Sequence, residues 1–246
     1  MKSALYIEGR NAVIEALKAG MPLQRIQLAK GTKPDRSIDY LKTLASENTV
    51  PIKEVHRQEL DKLSERGAHQ GVIAQAAPYP FASLKSVLDS IADEKNALVI
   101  LLDHITDPGN LGAIVRSAEV VGASCVIIPD RRSVGVTPAV WKAAAGALAH
   151  LPLVQVTNVA QTIERLQEAG FWVAGASEHA TQIAWDASLA GRLTLVMGSE
   201  GDGLARLTQE RCDFLVKLPQ QGQVGSLNVA QACTALSYEW LRQCTR

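Results

Sequence analysis

Five polar side chains are spaced for shared chemistry: Asn110 and Arg116, then Glu200, then Ser226 and Asn228. They fall in three short stretches, DHITDPGNLGAIVRSAE (Asp103 to Glu119), LVMGSEGDGL (Leu195 to Leu204) and LPQQGQVGSLNV (Leu218 to Val229). Each reads as an apolar strand ending in a glycine-containing loop, and the first and third run on into a helix. Open parallel α/β sheets bind ligands at the carboxyl ends of their strands, where such loops gather. The loops predict a small-molecule site, and the polar set predicts chemistry beside it.

In the first loop Pro108 and Gly109 read as a turn and Asn110 as the N-cap of the next helix. That helix carries a buried stripe of Leu111, Ile114, Val115 and Ala118. Arg116 falls off the stripe, and helical side chains lean towards the N-terminus, so its guanidinium can reach back over Gly112 and Ala113. On the residues alone, a solvent-exposed arginine is an equal reading. The second loop has glycines in the order G-x-x-G-x-G, the reverse of a dinucleotide fingerprint. Its backbone is open to a flat ligand, and Glu200 taken by itself is a solvated turn residue. In the third loop Ser226 is placed to cap the last helix, whose apolar face runs Val229, Ala232, Cys233, Leu236 and Trp240.

The elements that must position these residues form an alternating pattern. Helix 10–19, strand 25–29, helix 35–46, strand 50–55, helix 58–65 and strand 71–76 make a small α/β unit. The segment Ala77-Pro78-Tyr79-Pro80-Phe81 breaks both periods. After a helix at 83–93 come strands at 97–103, 125–129, 153–156, 172–176, 193–197 and 214–218. Helices are expected at 111–121, 138–149, 159–169 and 227–242. Near-continuous apolar strands such as ALVILLD and LTLVM suit a sheet buried on both faces, hence a largely parallel one. The expected boundaries are a first domain over 1–77, a linker and helix over 78–95, and a second domain over 96–246.

Composition narrows the class. Of 246 residues, 47% are hydrophobic and 20% charged, as in a globular core. No apolar run approaches the roughly 18 residues of a membrane span, and the first residues lack a secretory signal, so a cytoplasmic protein is expected. Cys125, Cys212, Cys233 and Cys244 form no C-x-x-C pair, which disfavours a zinc site or a disulfide framework. Cys125 and Cys233 lie in apolar patterns and are expected in the core. The net charge of zero argues against nucleic-acid binding. Its distribution is uneven: residues 1–80 carry 12 Lys/Arg against 9 Asp/Glu, and residues 81–246 carry 13 against 16. Lys30, Lys33, Arg36 and Arg57 are candidate phosphate contacts, or merely scattered surface charge.

The three stretches resemble the motifs of the SpoU/TrmH-type RNA ribose 2′-O-methyltransferases of the SPOUT class. The Asn and Arg of the first motif match DPGNLGAIVRSAE, the Gly-x-Glu-Gly of the second matches MGSEGDGL, and the Ser-Leu-Asn of the third matches VGSLNV. The segment AHQGVIA (Ala68 to Ala74) and the overall length resemble the subgroup that methylates a guanosine ribose in 23S ribosomal RNA. The resemblance implies an α/β fold whose mostly parallel sheet ends in a C-terminal trefoil knot, preceded by a small α/β RNA-binding domain. It implies S-adenosylmethionine as cofactor, cradled around Met197, Gly198, Gly201, Leu218 and Leu227. Catalytic roles go to Asn110, Arg116, Glu200, Ser226 and Asn228. A homodimer, a ribosomal RNA partner and no metal are also implied.

A guanidinium, with a pKa above roughly 12, rarely gives up a proton. Arg116 is therefore read as an oxyanion stabiliser and phosphate clamp, with Asn110, Ser226 and Asn228 orienting the ribose. None of the five histidines lies in a motif loop proper, though His104 is close by in sequence, and His69 reads as structural or RNA-contacting. Other readings stay open: a transfer-RNA or antibiotic-resistance ribosomal-RNA ribose methyltransferase, a non-catalytic RNA-binding module, and an α/β enzyme binding NAD or a nucleotide.

Overall fold

A computed structural model describes residues 5–33, 35–64, 67–199, 201–223 and 225–245. The chain forms two compact units. The first comprises the residues up to Pro80 together with Val136–Lys142, and the second Phe81–Gly135 and the chain from Ala143 on.

The first unit alternates β1 (Tyr6–Glu8), α1 (Arg10–Lys18), β2 (Leu23–Ala29), α2 (Arg36–Glu47), β3 (Ile52–Val55), α3 (Arg57–Leu63) and β4 (Val72–Ala76). Its sheet runs β1-β4-β2-β3, with β2 and β3 parallel and β4 antiparallel to β1 and β2. The helical stripes explain the packing: α1 buries Val13, Ile14, Ala16 and Leu17, and α2 buries Ile38, Leu41, Leu44 and Ala45. Asp35 caps α2 by accepting from the Ser37 and Ile38 amides, and it also pairs with Arg10. The Ser37 hydroxyl first, then the Ile38 amide and Arg10, hold the Asp35 carboxyl down to about 2. His69 is only 2% exposed. Its Nε2 lies 2.9 Å from Asp61 Oδ1, and its Nδ1 accepts from the Gly71 amide at 3.0 Å. Of the two roles expected for His69, the structural one is the one its burial allows.

The chain continues with α4 (Leu84–Ser90), β5 (Ala97–Leu102), α5 (Pro108–Val120), β6 (Cys125–Pro129), α6 (Pro138–Ala144), β7 (Leu153–Val156), α7 (Val159–Glu168) and β8 (Trp172–Ala176). Then follow β9 (Gln182–Ile183), β10 (Arg192–Met197), α8 (Arg206–Arg211), β11 (Phe214–Lys217) and α9 (Val229–Cys244). The sheet of the second unit runs β7-β6-β5-β10-β8-β11-β9, and every described pairing in it is parallel. All residues of β5 and β6 are buried, as expected for strands covered on both faces. Each such Leu, Ile or Val contributes roughly 1.5–3 kcal/mol by leaving water.

Several expectations need correction. The helix expected over 138–149 stops at Ala144, because Ala145 and Gly146 take φ of +49° and +95° and only a short 3₁₀ turn, Ala147–Ala149, follows. Strands β1 and β9 and helix α8 were not expected: the strands are three and two residues long, and α8 (RLTQER) has no apolar stripe.

Candidate active site

The second loop leaves β10 at Met197 and folds back on itself. The Ser199 amide donates to the Gly203 carbonyl at 2.9 Å, and the Gly203 amide returns a bond to Ser199 O at 3.1 Å. Gly203 takes φ +64°, and a Cβ on Gly198 would lie 2.2 Å from the Gly203 carbonyl carbon. Two of the three glycines are thus required by the loop's own closure. At Gly201, which has no positive φ, a Cβ would meet nothing within 4 Å.

A buried carboxylate fastens this loop to the end of β5. Asp103 is 1% exposed, its amide donates to Met197 O at 2.8 Å, and its Oδ2 accepts from the Ala205 amide at 2.9 Å. His104 Nδ1 lies 2.5 Å from Asp103 Oδ1, with the His104 backbone at φ +64°. The Met197 and Ala205 hydrogen bonds make Asp103 an anchor between the first and second motifs. The sequence signal was an acidic residue ending an otherwise apolar strand.

A cavity of about 200 Å³ opens where β8, β10 and β11 end side by side. Met197, Gly198, Gly201, Leu218, Leu227 and Ser226 all line it. Its far wall is the loop after β8, with Ser177, Glu178 and His179. Sequence reasoning missed that wall, although strand 172–176 pointed to its position.

The remaining polar candidates lie on α5 and α9. Helix α5 starts earlier than expected: Asp107 is its N-cap, accepting from the Asn110 amide at 2.7 Å, and Pro108 opens the first turn. Pro108 and Gly109 are therefore helical, and Asn110 is inside the helix. Likewise Asn228, not Ser226, caps α9, accepting from the Ala230 and Gln231 amides at 2.9 and 3.4 Å. With its oxygen committed to the cap, the Asn228 amide donates to Asn110 Oδ1 at 2.8 Å. About two turns further along, the Thr234 and Ser117 hydroxyls lie 2.7 Å apart. Next to Ser117, Arg116 is exposed on α5.

Comparison with known proteins places this arrangement. The SpoU rRNA methylase family model matches residues 97–238, and a model described as RNA 2′-O ribose methyltransferase substrate binding matches residues 6–82. The chain belongs to the SpoU rRNA methylase family. One relative, YacO of Bacillus subtilis, is named only to the level of TrmH-family tRNA/rRNA methyltransferases. It is 42% identical, over 97% of this chain and 95% of its own length. The 23S rRNA (guanosine-2′-O-)-methyltransferase RlmB of Pseudomonas putida is 43% identical, over 90% of this chain and 89% of its own. Among solved structures, the SpoU methyltransferase AviRb of Streptomyces viridochromogenes, in complex with AdoMet, superposes with a TM-score of 0.69. It shares 25% identity and covers 98% of this chain and 90% of its own.

Within this SpoU chain the candidate residues fall into two neighbouring groups. The five cofactor candidates and Ser226 surround the cavity, while Asn110 and Asn228 form a bonded pair at the helix starts and Arg116 stands on α5. The span from Ser226 to Asn228 joins the groups. Glu200 lies outside the described residues. Burial pushes the Cys125 and Cys233 thiols up to about 12, which keeps them from acting as thiolates. Among the described residues no group of three His, Cys, Asp or Glu is placed to hold a metal ion.

Proposed function

We propose that the chain transfers the methyl group of S-adenosylmethionine to the ribose 2′-OH of a guanosine in 23S ribosomal RNA. The observation that carries this reading is the relationship, over nine-tenths of the chain, to an enzyme named for that reaction. The chemistry of the cavity's lining suits such a cofactor. It mixes apolar side chains (Met197, Leu218, Leu227, Val229) with backbone at Gly198 and Gly201 and polar groups at its rim.

Bound S-adenosylmethionine supplies an electrophilic methyl carbon. The chain's residues must hold the 2′ oxygen in line with it, and such positioning lowers a barrier by up to about 7–11 kcal/mol. In this reading Arg116 faces the RNA and offsets the negative charge growing on the 2′ oxygen or on the adjacent phosphate. The Asn110–Asn228 pair and Ser226 orient the ribose beside the cavity mouth. Glu200 completes the loop's polar set.

The same reading assigns RNA selection to the first unit, over about residues 1–77, and cofactor binding to the chain from about 96 on, with 78–95 as the connection. It includes a C-terminal trefoil knot. The strand order supports that: β10 follows β8 in sequence but lies between β5 and β8, and β11 then falls outside β8. It also includes a homodimer. Two exposed large side chains on helices α5 and α9, Val120 (61%) and Tyr238 (48%), support that part of the reading. A cytoplasmic site of action follows from the RNA substrate.

Calorimetry with S-adenosylmethionine, its demethylated product and NAD tests the cofactor assignment. Saturable binding of the first two and no response to NAD is expected. Tight NAD binding with no response to S-adenosylmethionine overturns it.

A further inference from the structure

The first unit contains a second hollow, far in sequence from the three motifs. It encloses about 560 Å³ and is lined by Arg10, Lys30, Lys33 and Arg57 together with the main chain of Gly31 and Gly71. That volume is within the roughly 300–1,000 Å³ of ordinary ligand sites. Its cations arrive on three separate elements: the start of α1, the turn after β2 and the start of α3. Among the described residues its lining contains no Asp or Glu.

The hollow has a fixed floor. The Ala29 amide donates to Gly71 O at 2.9 Å, the Lys30 amide to Val55 O at 2.8 Å, and the Thr32 hydroxyl to Ala29 O at 2.7 Å. Gly31 and Gly71 take φ of +76° and +80°, and a Cβ on Gly71 would lie 3.1 Å from Thr32 Oγ1. His69 pins this turn from below through the Gly71 amide. Arg10 forms a rigid wall, because it pairs with Asp35 and donates to Gln70 O at 3.3 Å. Lys30, Lys33 and Arg57 are exposed and, among the described residues, carry no ion-pair partner. Three uncompensated cations converging on a shaped backbone cup are a costly arrangement for surface charge alone, since like charges repel. They suit an anion that brings several oxygens at once.

We propose that this hollow grips the sugar–phosphate backbone of the substrate RNA away from the methylated nucleotide. Arg57 presents a planar fork to one phosphate, and Lys30 and Lys33 act as point charges on its neighbours. The hollow would then set affinity for RNA and leave the chemical step alone. The proposal rests on the RNA-methyltransferase reading above and gives its substrate a second anchor.

The test uses the full chain with S-adenosylmethionine present, and protein-free 23S ribosomal RNA and bulk transfer RNA as probes. Binding is measured across a series of salt concentrations. The variant is Lys30→Ala/Lys33→Ala/Arg57→Ala, and the control removes equal charge elsewhere in the same unit with Lys42→Ala/Lys53→Ala/Lys62→Ala. Each lost phosphate contact flattens the slope of log K against log salt by roughly 0.7–0.9. The hollow variant should therefore lose about two units of slope and tenfold or more in affinity at moderate salt. The control should lose far less. The KM for RNA should rise while kcat at saturating RNA and cofactor affinity stay near wild type. Equal losses in both triple variants would reduce the hollow to bulk charge and overturn the proposal, as would no loss in the first. Wild-type binding to transfer RNA alone would contradict the 23S reading while the comparison of variants still judges the hollow; binding to neither probe overturns both.

Discussion

Replacing Arg116 by alanine is expected to slow methyl transfer by roughly a hundred- to a thousandfold, with cofactor affinity almost unchanged. Losing one charged donor aimed at a developing oxyanion costs about 3–4 kcal/mol in the transition state. The cavity's lining comes from other loops and does not include Arg116, so the cofactor should not notice the change. Nor should the fold, because Arg116 is exposed on α5, off the stripe of Leu111, Ile114, Val115 and Ala118. Arg116→Lys should recover little, since an ammonium cannot reproduce the planar fork. Single-turnover methylation, run beside cofactor titration and a thermal melt, separates the outcomes. Near-normal turnover in the alanine variant would remove Arg116 from the chemistry. Lost cofactor binding would move it into the cradle.

The second large effect is expected at Gly198. A methyl group there would sit 2.2 Å from the Gly203 carbonyl carbon, 2.3 Å from its oxygen and 2.4 Å from the Leu204 nitrogen. These are backbone atoms and cannot swing aside, so Gly198→Ala must prise the loop open. Overpacking of this kind costs about 1–3 kcal/mol or more, and each kcal/mol lowers the melting temperature by roughly 2–4 °C in a domain of this size. Cofactor affinity should fall at least about tenfold, because the loop that moves is a wall of the cavity. Gly201→Ala is the informative partner. Its Cβ has open space, so the melt should stay at the wild-type value, and any loss of affinity reports a ligand lying against that backbone. An unchanged melt and unchanged cofactor binding for Gly198→Ala would show that the loop does not need its closed form.

How much of this was legible in the sequence follows from the range of the forces involved. Strands such as 97–102 and 125–129 could be read because burial on both faces leaves an unbroken apolar run. Helices α2 and α7 were readable from their stripes. The helix starts were harder. Asp107 and Asn110 are both cap formers, and so are Ser226 and Asn228; the outcome turns on which one the preceding backbone lets reach the first amides. Pro108 was the overlooked signal, because proline is at home in the first helical turn. The break at Ala145–Gly146 was hidden in an alanine-rich helical pattern.

The site was legible as three loops but not as a cavity. Its wall after β8 depends on β8 lying between β10 and β11, which is a long-range pairing no local pattern encodes. The role of Asp103 was equally remote, since its partner Ala205 is 102 residues away. Two glycines read as openings for a ligand also serve the loop's own closure, and only the close approach of Gly203 to Gly198 reveals it.

The most direct measurement is a map of ribose methylation across 23S ribosomal RNA from cells with and without this chain. One guanosine should lose its 2′-O-methyl group when the chain is absent. Re-expressing the wild-type chain should restore the mark, and the Arg116→Ala variant should not. Identical 23S maps in the two cells, or a lost mark confined to transfer RNA, would contradict the account.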